Sequence, residues 1–207
     1  VGHGFSMVDN RLFALHLVKP GRTPATLFLA SGQVAQAADV LYKRPIVLMR
    51  GSFNPVCNLH LEVMSQVKKC FLNHINETQA DRCMEICEIS MNNLLRGGDV
   101  DHLEFLDRAD SLKALGKNVL ITKMPRFDNL SELLARYTKE PIAIALSIGL
   151  LNELFKEKWT EDIPGGILES FGRTFQNKTR LYVSPWLNRK SGEFVAASTF
   201  RDPEQYV

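Results

Sequence analysis

Apolar residues arrive in two rhythms along this chain. Short runs that are apolar almost throughout, Ala25–Ala30 (ATLFLA), Pro45–Arg50 (PIVLMR), Asn118–Lys123 (NVLITK) and Ile142–Ile148 (IAIALSI), read as strands. Between them lie longer stretches with apolar residues three or four apart. Asn58–Asn73 puts Leu59, Val63, Met64, Val67 and Phe71 on one helical stripe. Val100–Leu115 does the same with Leu103, Phe105, Leu106, Ala109, Leu112 and Leu115, and Gly116 supplies its C-terminal cap. Helices are also predicted over Leu130–Tyr137, Leu150–Lys158 and, after Pro164-Gly165-Gly166, Ile167–Phe175. Arg180–Trp186 (RLYVSPW) predicts the last strand. Met84–Met91 (MEICEISM) fits a strand, while Cys83 and Cys87, four apart, keep a helix open.

Strands without polar alternation are expected where both faces are covered by helices. With a helix between successive strands, the economical fold is α/β: a doubly wound, mostly parallel, Rossmann-like sheet over residues 25–186. Residues 1–24 and 187–207 have weaker periodicity and frequent Gly, Pro and Ser. They are expected to form an N-terminal arm and a C-terminal tail.

Composition narrows the class. At 207 residues, 45% hydrophobic and 23% charged, the chain fits one globular domain and excludes disordered, collagenous and rod-like proteins. Its 25 Lys and Arg against 23 Asp and Glu leave a charge of +2, without the clustered basic excess of a nucleic-acid binder. No apolar run reaches the roughly 18 residues of a membrane span. The four cysteines, Cys57, Cys70, Cys83 and Cys87, are too few and too irregular for a disulfide framework, so a reducing, intracellular setting is expected. The opening Val-Gly-His-Gly reads as a processed or trimmed terminus; with the pI near 8.4 it fits the mitochondrial matrix.

One loop carries chemistry. Arg50-Gly51-Ser52-Phe53-Asn54-Pro55-Val56-Cys57-Asn58-Leu59-His60-Leu61 joins a predicted strand to a predicted helix, where α/β proteins bind phosphate. The string resembles the nucleotide-binding loop of the nucleotidylyltransferase superfamily, in particular the nicotinamide mononucleotide adenylyltransferases, which reads Gly-Ser-Phe-x-Pro and ends in His. The resemblance implies that Gly51, Ser52, Phe53 and Asn54 lie against a nucleotide. It also implies that His60 stabilises the triphosphate during transfer from ATP, with Mg²⁺, to a mononucleotide. Cys57 stands where that family has His or Thr, and is a poorer donor to phosphate. The family's second signature, Ile-Ser-x-Thr-x-x-Arg, is absent; Ser170-Phe171-Gly172-Arg173 and Ser198-Thr199-Phe200-Arg201 echo it only in part.

A second set of stretches spans nearly the whole chain. It comprises Met7–Leu12 (MVDNRL), Leu41–Ser52 (LYKRPIVLMRGS), Glu88–Leu94 (EISMNNL), Phe105–Asp110 (FLDRAD), Leu115–Ile121 (LGKNVLI), Gly165–Arg173 (GGILESFGR) and Leu181–Pro185 (LYVSP). In order, these resemble the C-terminal half of an uncharacterised bacterial family. Its names, TonB-dependent receptor or nicotinate-nucleotide adenylyltransferase, rest on no demonstrated activity. That family's loop keeps Arg-Gly-x-Phe-x-Pro without the terminal His. This resemblance implies a non-catalytic accessory subunit of a larger complex, with no catalytic residue and no cofactor. Partner subunits would be met by the terminal arms and by the aromatics Trp159, Trp186, Phe194, Phe200 and Tyr206. Two alternatives stay open: a transferase working through His60, and a nucleotide-binding domain without turnover. The transferase needs His60 to face an open cleft at the carboxyl ends of the strands, with a basic group opposite.

Other clusters are weaker. Cys83 and Cys87 with His74 and His102 have no zinc-ligand spacing and are expected as packed residues, so no metal site is expected. Asp101, Glu104, Asp107 and Asp110 suggest magnesium less well than a solvated helix face. Gly165-Gly166 with Glu169 and Arg173 is a Gly-rich helix entry that could take an anion, but reads more simply as loop-to-helix punctuation.

Overall fold

A computed structural model of the chain describes residues 9–187 and 192–198 and is organised around a seven-stranded sheet. The chain opens with α1 (Asn10–Val18), β1 (Ala25–Phe28), β2 (Val34–Ala35) and α2 (Ala37–Leu41). Next come β3 (Ile46–Arg50), α3 (Asn58–Leu72), α4 (Glu77–Ala80) and β4 (Met84–Ser90). A small hairpin, β5 (Leu95–Arg96) and β6 (Asp99–Val100), leads into α5 (His102–Ala114) and β7 (Asn118–Thr122). The remainder is α6 (Phe127–Tyr137), β8 (Ile142–Ser147), α7 (Ile148–Leu154), α8 (Gly166–Phe175), β9 (Thr179–Ser184), and a second hairpin of β10 (Trp186–Leu187) and β11 (Phe194–Val195).

The strand order is β2-β1-β7-β4-β3-β8-β9. From β7 to β9 all neighbours are parallel; β1 and β2 extend the β7 edge antiparallel. This is the doubly wound, Rossmann-like sheet that the alternation of elements predicts. The chain runs outward from β3 to β7, then returns through α6 to β8 on the other side. The order therefore reverses between β3 and β8, and ligands of such sheets bind outside the carboxyl ends at that reversal.

Burial along the strands explains the near-absence of polar residues. Val47 and Met49 of β3, Cys87 and Ile89 of β4 and Ala143 and Ala145 of β8 face a core shared with α1, α3 and α5. The alternate residues Ile46, Leu48, Ile86, Ile142 and Ile144 face a second core under α2 and α6. Period-two geometry sends successive side chains into separate cores, so both sets must be apolar. Met84–Ser90 is strand, because Cys83 and Cys87 belong to that pattern and not to a helical stripe.

The expected arm over residues 1–24 is corrected in part. Asp9 caps α1 by accepting from the Arg11 N–H, and Ala14, Leu15 and Val18 are buried in the first core. Its apolar positions, three and four apart, carry the signal of an ordinary amphipathic helix. Residues 1–8 lie outside the described residues, as do Phe200 and Tyr206. The expected tail begins with the β10–β11 hairpin, which buries Val195 and leaves Phe194 exposed. Among the described residues no helix is long and apolar enough to cross a membrane.

Candidate functional site

Arg50 ends β3 and ties three strands together at their carboxyl edge. Its Nε donates to Glu88 Oε2 of β4 at 2.6 Å, and its Nη2 reaches Glu88 Oε1 at 3.2 Å. Nη1 and Nη2 also donate to the carbonyls of Pro125 and Met124, just beyond β7, at 2.8 and 2.6 Å. Glu88, fully buried, accepts a further bond from the Thr122 hydroxyl of β7 at 2.6 Å. The guanidinium sits 4.7 Å from the Phe127 ring centre. A buried carboxylate needs a partner of this kind, and here every guanidinium nitrogen is bonded within the chain.

The loop that follows folds in on itself. Gly51 donates its N–H to the Glu88 carbonyl at 3.0 Å. A Cβ on Gly51 would meet the Phe53 ring at 3.1–3.4 Å, so the glycine makes room for that ring. Phe53 is buried to 1% exposure and takes a φ of +46°, a left-handed conformation that costs a non-glycine residue about 1–3 kcal/mol. The ring therefore lies under the loop and presents no face to a nucleotide there. The Ser52 carbonyl accepts from Arg108 Nη1 at 3.0 Å, and that same nitrogen reaches the Asn93 carbonyl at 3.2 Å. Glu104 of α5 holds both Arg108 and the Asn54 amide.

His60 occupies the third position of α3. Its Nδ1 accepts the Cys57 backbone N–H at 3.1 Å and lies 3.3 Å from the Cys57 sulfur. The ring stands edge-on to Phe53 at 5.2 Å between centres. Partial burial lowers its pKa below the usual 6.5, which keeps the ring neutral and Nδ1 free to accept. Both arginines that adjoin the loop, Arg50 and Arg108, are bound to carboxylates. The candidate residues Gly51, Ser52, Phe53, Asn54 and His60 are thus gathered in one place; Gly51, the Ser52 carbonyl and His60 bond within the chain, while the Ser52 and Asn54 side chains stay at the surface.

No family model, curated protein or solved structure matches the chain.

The remaining sequence candidates separate in space. Cys83 and Cys87 are four residues apart on extended chain, about 13 Å at the strand rise, too far to share an ion. Burial pushes their thiols up to about 11 and about 12. His74 bonds the Tyr182 hydroxyl at 3.0 Å and His102 packs on His16. Among the described residues no group of three His, Cys, Asp or Glu is placed to hold a metal ion. Asp101 caps α5, Glu104 binds Arg108 and Asp110 pairs with Arg11, so most of the acidic row has structural partners in place of free solvent. Glu169 accepts from the Gly165 N–H at 2.9 Å and pairs with Arg173, placing a carboxylate where an anion at the start of α8 would sit.

Beside Gly51 a cavity of about 330 Å³ opens at the carboxyl ends of β3, β4 and β7. One side is Ser90, Asn92, Asn93 and Phe127; the other is Leu150 and Leu154 of α7, with Trp159, Thr160 and Ser170 beyond. These residues come from segments up to 80 positions apart; sequence reasoning named Trp159 as an interface aromatic and Ser170 in a partial signature echo, and brought neither to this cavity. A wider groove, about 920 Å³ between α1 and β2, includes none of the loop residues.

Proposed function

We propose that this chain is a non-catalytic α/β accessory subunit of a larger protein assembly, built on a nucleotidyltransferase-like scaffold. The observation that carries the reading is the inward bonding of the Arg50–His60 loop. Phosphoryl transfer is catalysed by positioned cations and donors aimed at the phosphates. Here Arg50 and Arg108 hold buried or half-buried carboxylates, Phe53 lies beneath the loop, and His60 caps α3.

A partner surface is available on the β9 side of the sheet. Phe171 stacks against Phe175 and packs on Phe155, while Leu168 is 85% exposed on the same helix. Large aromatic and aliphatic side chains of this kind are favoured at interface centres. Native mass spectrometry of the chain isolated gently from its source should find it in a complex of fixed stoichiometry, from which Phe171→Glu is released. Dinucleotide formation from ATP and a mononucleotide by the purified chain would sink the reading, as would a stable lone monomer in the native preparation.

The cavity beside Gly51 favours a second reading, a domain that binds a small molecule without turning it over. It lies where α/β sheets hold ligands, outside the carboxyl ends near the reversal of strand order.

A further inference from the structure

The geometry points to an uncharged, planar nitrogen heterocycle, of nucleobase or nucleoside size, as the occupant of the cavity beside Gly51. This deepens the reading of a binding domain without turnover and is independent of any partner subunit.

Size sets the first limit. At about 330 Å³ the cavity is near the lower end of ligand sites, roughly 300–1,000 Å³, so a base with or without its sugar fills it. Phe127, Leu150, Leu154 and Trp159 give it apolar and aromatic walls. Ser90, Asn92, Asn93, Thr160 and Ser170 supply neutral groups beside the charged Arg50, Arg126 and Glu153. Amides and hydroxyls both donate and accept, which suits the mixed edge of a heterocycle.

Charge sets the second limit, and it argues against phosphate. The two arginines that line the cavity, Arg50 and Arg126, are each paired with a buried carboxylate. Arg50 holds Glu88; Arg126 holds Asp128 and, at 2.7 Å, Asp162. At the rim Glu153 is shared by Lys156 and Lys158. Hydrogen bonding from Lys156 pulls Glu153 down to about 2, so it stays ionised between the two ammoniums. Drawing Arg50 or Arg126 onto a phosphate would strip a fully buried carboxylate, Glu88 or Asp128, of its partner.

Trp159 offers an aromatic wall for stacking. Its Nε1 donates to Glu153 at 3.2 Å and the Lys158 ammonium lies 4.9 Å from its ring centre, contacts that favour one orientation of an indole lining the cavity. A pre-set aromatic wall reduces the ordering that binding must otherwise bring about.

Calorimetric titration of the full chain with adenosine, guanosine, uridine, nicotinamide, AMP and ATP, with and without Mg²⁺, tests the assignment. At least one neutral compound should bind, and its phosphorylated forms should match it within about threefold whether or not Mg²⁺ is present. Ser170→Trp, which fills the cavity from α8, and Trp159→Ala, which removes the wall, should each weaken binding by about tenfold or more at unchanged melting temperature. Should Ser170→Trp fold poorly, Trp159→Ala decides. The assignment is overturned if no neutral compound binds, if Trp159→Ala leaves affinity intact, or if ATP binds more than about tenfold tighter than adenosine in a Mg²⁺-dependent way. Failure of the non-catalytic reading is seen separately, as dinucleotide product when the chain is incubated with ATP, a mononucleotide and Mg²⁺ together.

Discussion

Two regions meet at Gly51 on the carboxyl edge of this sheet, and they differ in where their polar groups point. From Arg50 to His60 the chain bonds inward: to Glu88, to Arg108, to Glu104 and to the start of α3. Across Gly51, from Ser90 to Ser170, side chains of several elements leave a cavity open whose charged liners, Arg50, Arg126 and Glu153, are each held in ion pairs. The first region borders the cavity only through Arg50 and Gly51; the rest of the cavity's lining comes from residues outside the motif. A phosphate-binding loop works because its backbone donors and cations are left unsatisfied until the ligand arrives. Here Arg50, the Gly51 N–H and the Cys57 N–H already have partners within the chain, and to that extent the loop serves as a structural corner.

The sharpest way to break this comparison is to remove the charge that anchors the corner. Glu88→Gln leaves Arg50 buried against two carbonyls without its counterion, and should lower stability to urea by about 3–5 kcal/mol. A loss below about 1 kcal/mol would mean that Arg50 is free to serve a ligand after all. Next in size is Gly51→Ala. Its Cβ would press on a Phe53 ring that is 1% exposed and has little space to yield, so about 1–3 kcal/mol of destabilisation is expected in the same assay. A neutral result would show that the loop is softer than its packing implies.

The smallest effect concerns His60 and separates a cap from a catalyst. His60→Ala should cost about 1 kcal/mol, while His60→Gln, which keeps an acceptor at the third helical position, should restore most of it. The pH dependence has a definite sign. Because the folded pKa lies below the usual 6.5, the unfolded chain takes up the proton first. The stability from neutral His60 is then fully present above 6.5 and is lost as pH falls through the lowered folded value. The Gln variant should lack that component of the thermal-melting profile below pH 6.5. If it keeps that component, some other group is responsible and the cap assignment fails.

Much of the fold was legible in the pattern of residues. Runs such as IAIALSI identified strands covered on both faces, and their alternation with amphipathic stretches identified the doubly wound sheet. Gly116, with φ at +69°, ends α5 as the cap position predicted. The short α1, β2 and α2 were less legible. Over five to nine residues a helical stripe is hard to tell from a loop, and β2 contributes only Val34 and Ala35.

The loop motif was also visible in sequence, but its state was not. Arg50 and Glu88 are 38 residues apart, and only the parallel register of β3 with β4 sets them side by side. Arg108, 56 residues beyond Ser52, reaches the loop because α5 packs on the same side of the sheet as α3. By itself, then, the sequence determined the periodicities, and through them the elements and the two apolar faces of the sheet, because burial acts on each short segment according to its own repeat. Tertiary structure decided which polar groups found partners and which were left around a cavity. Those pairings depend on strand order and helix placement, which bring together residues that have no local relation in the chain.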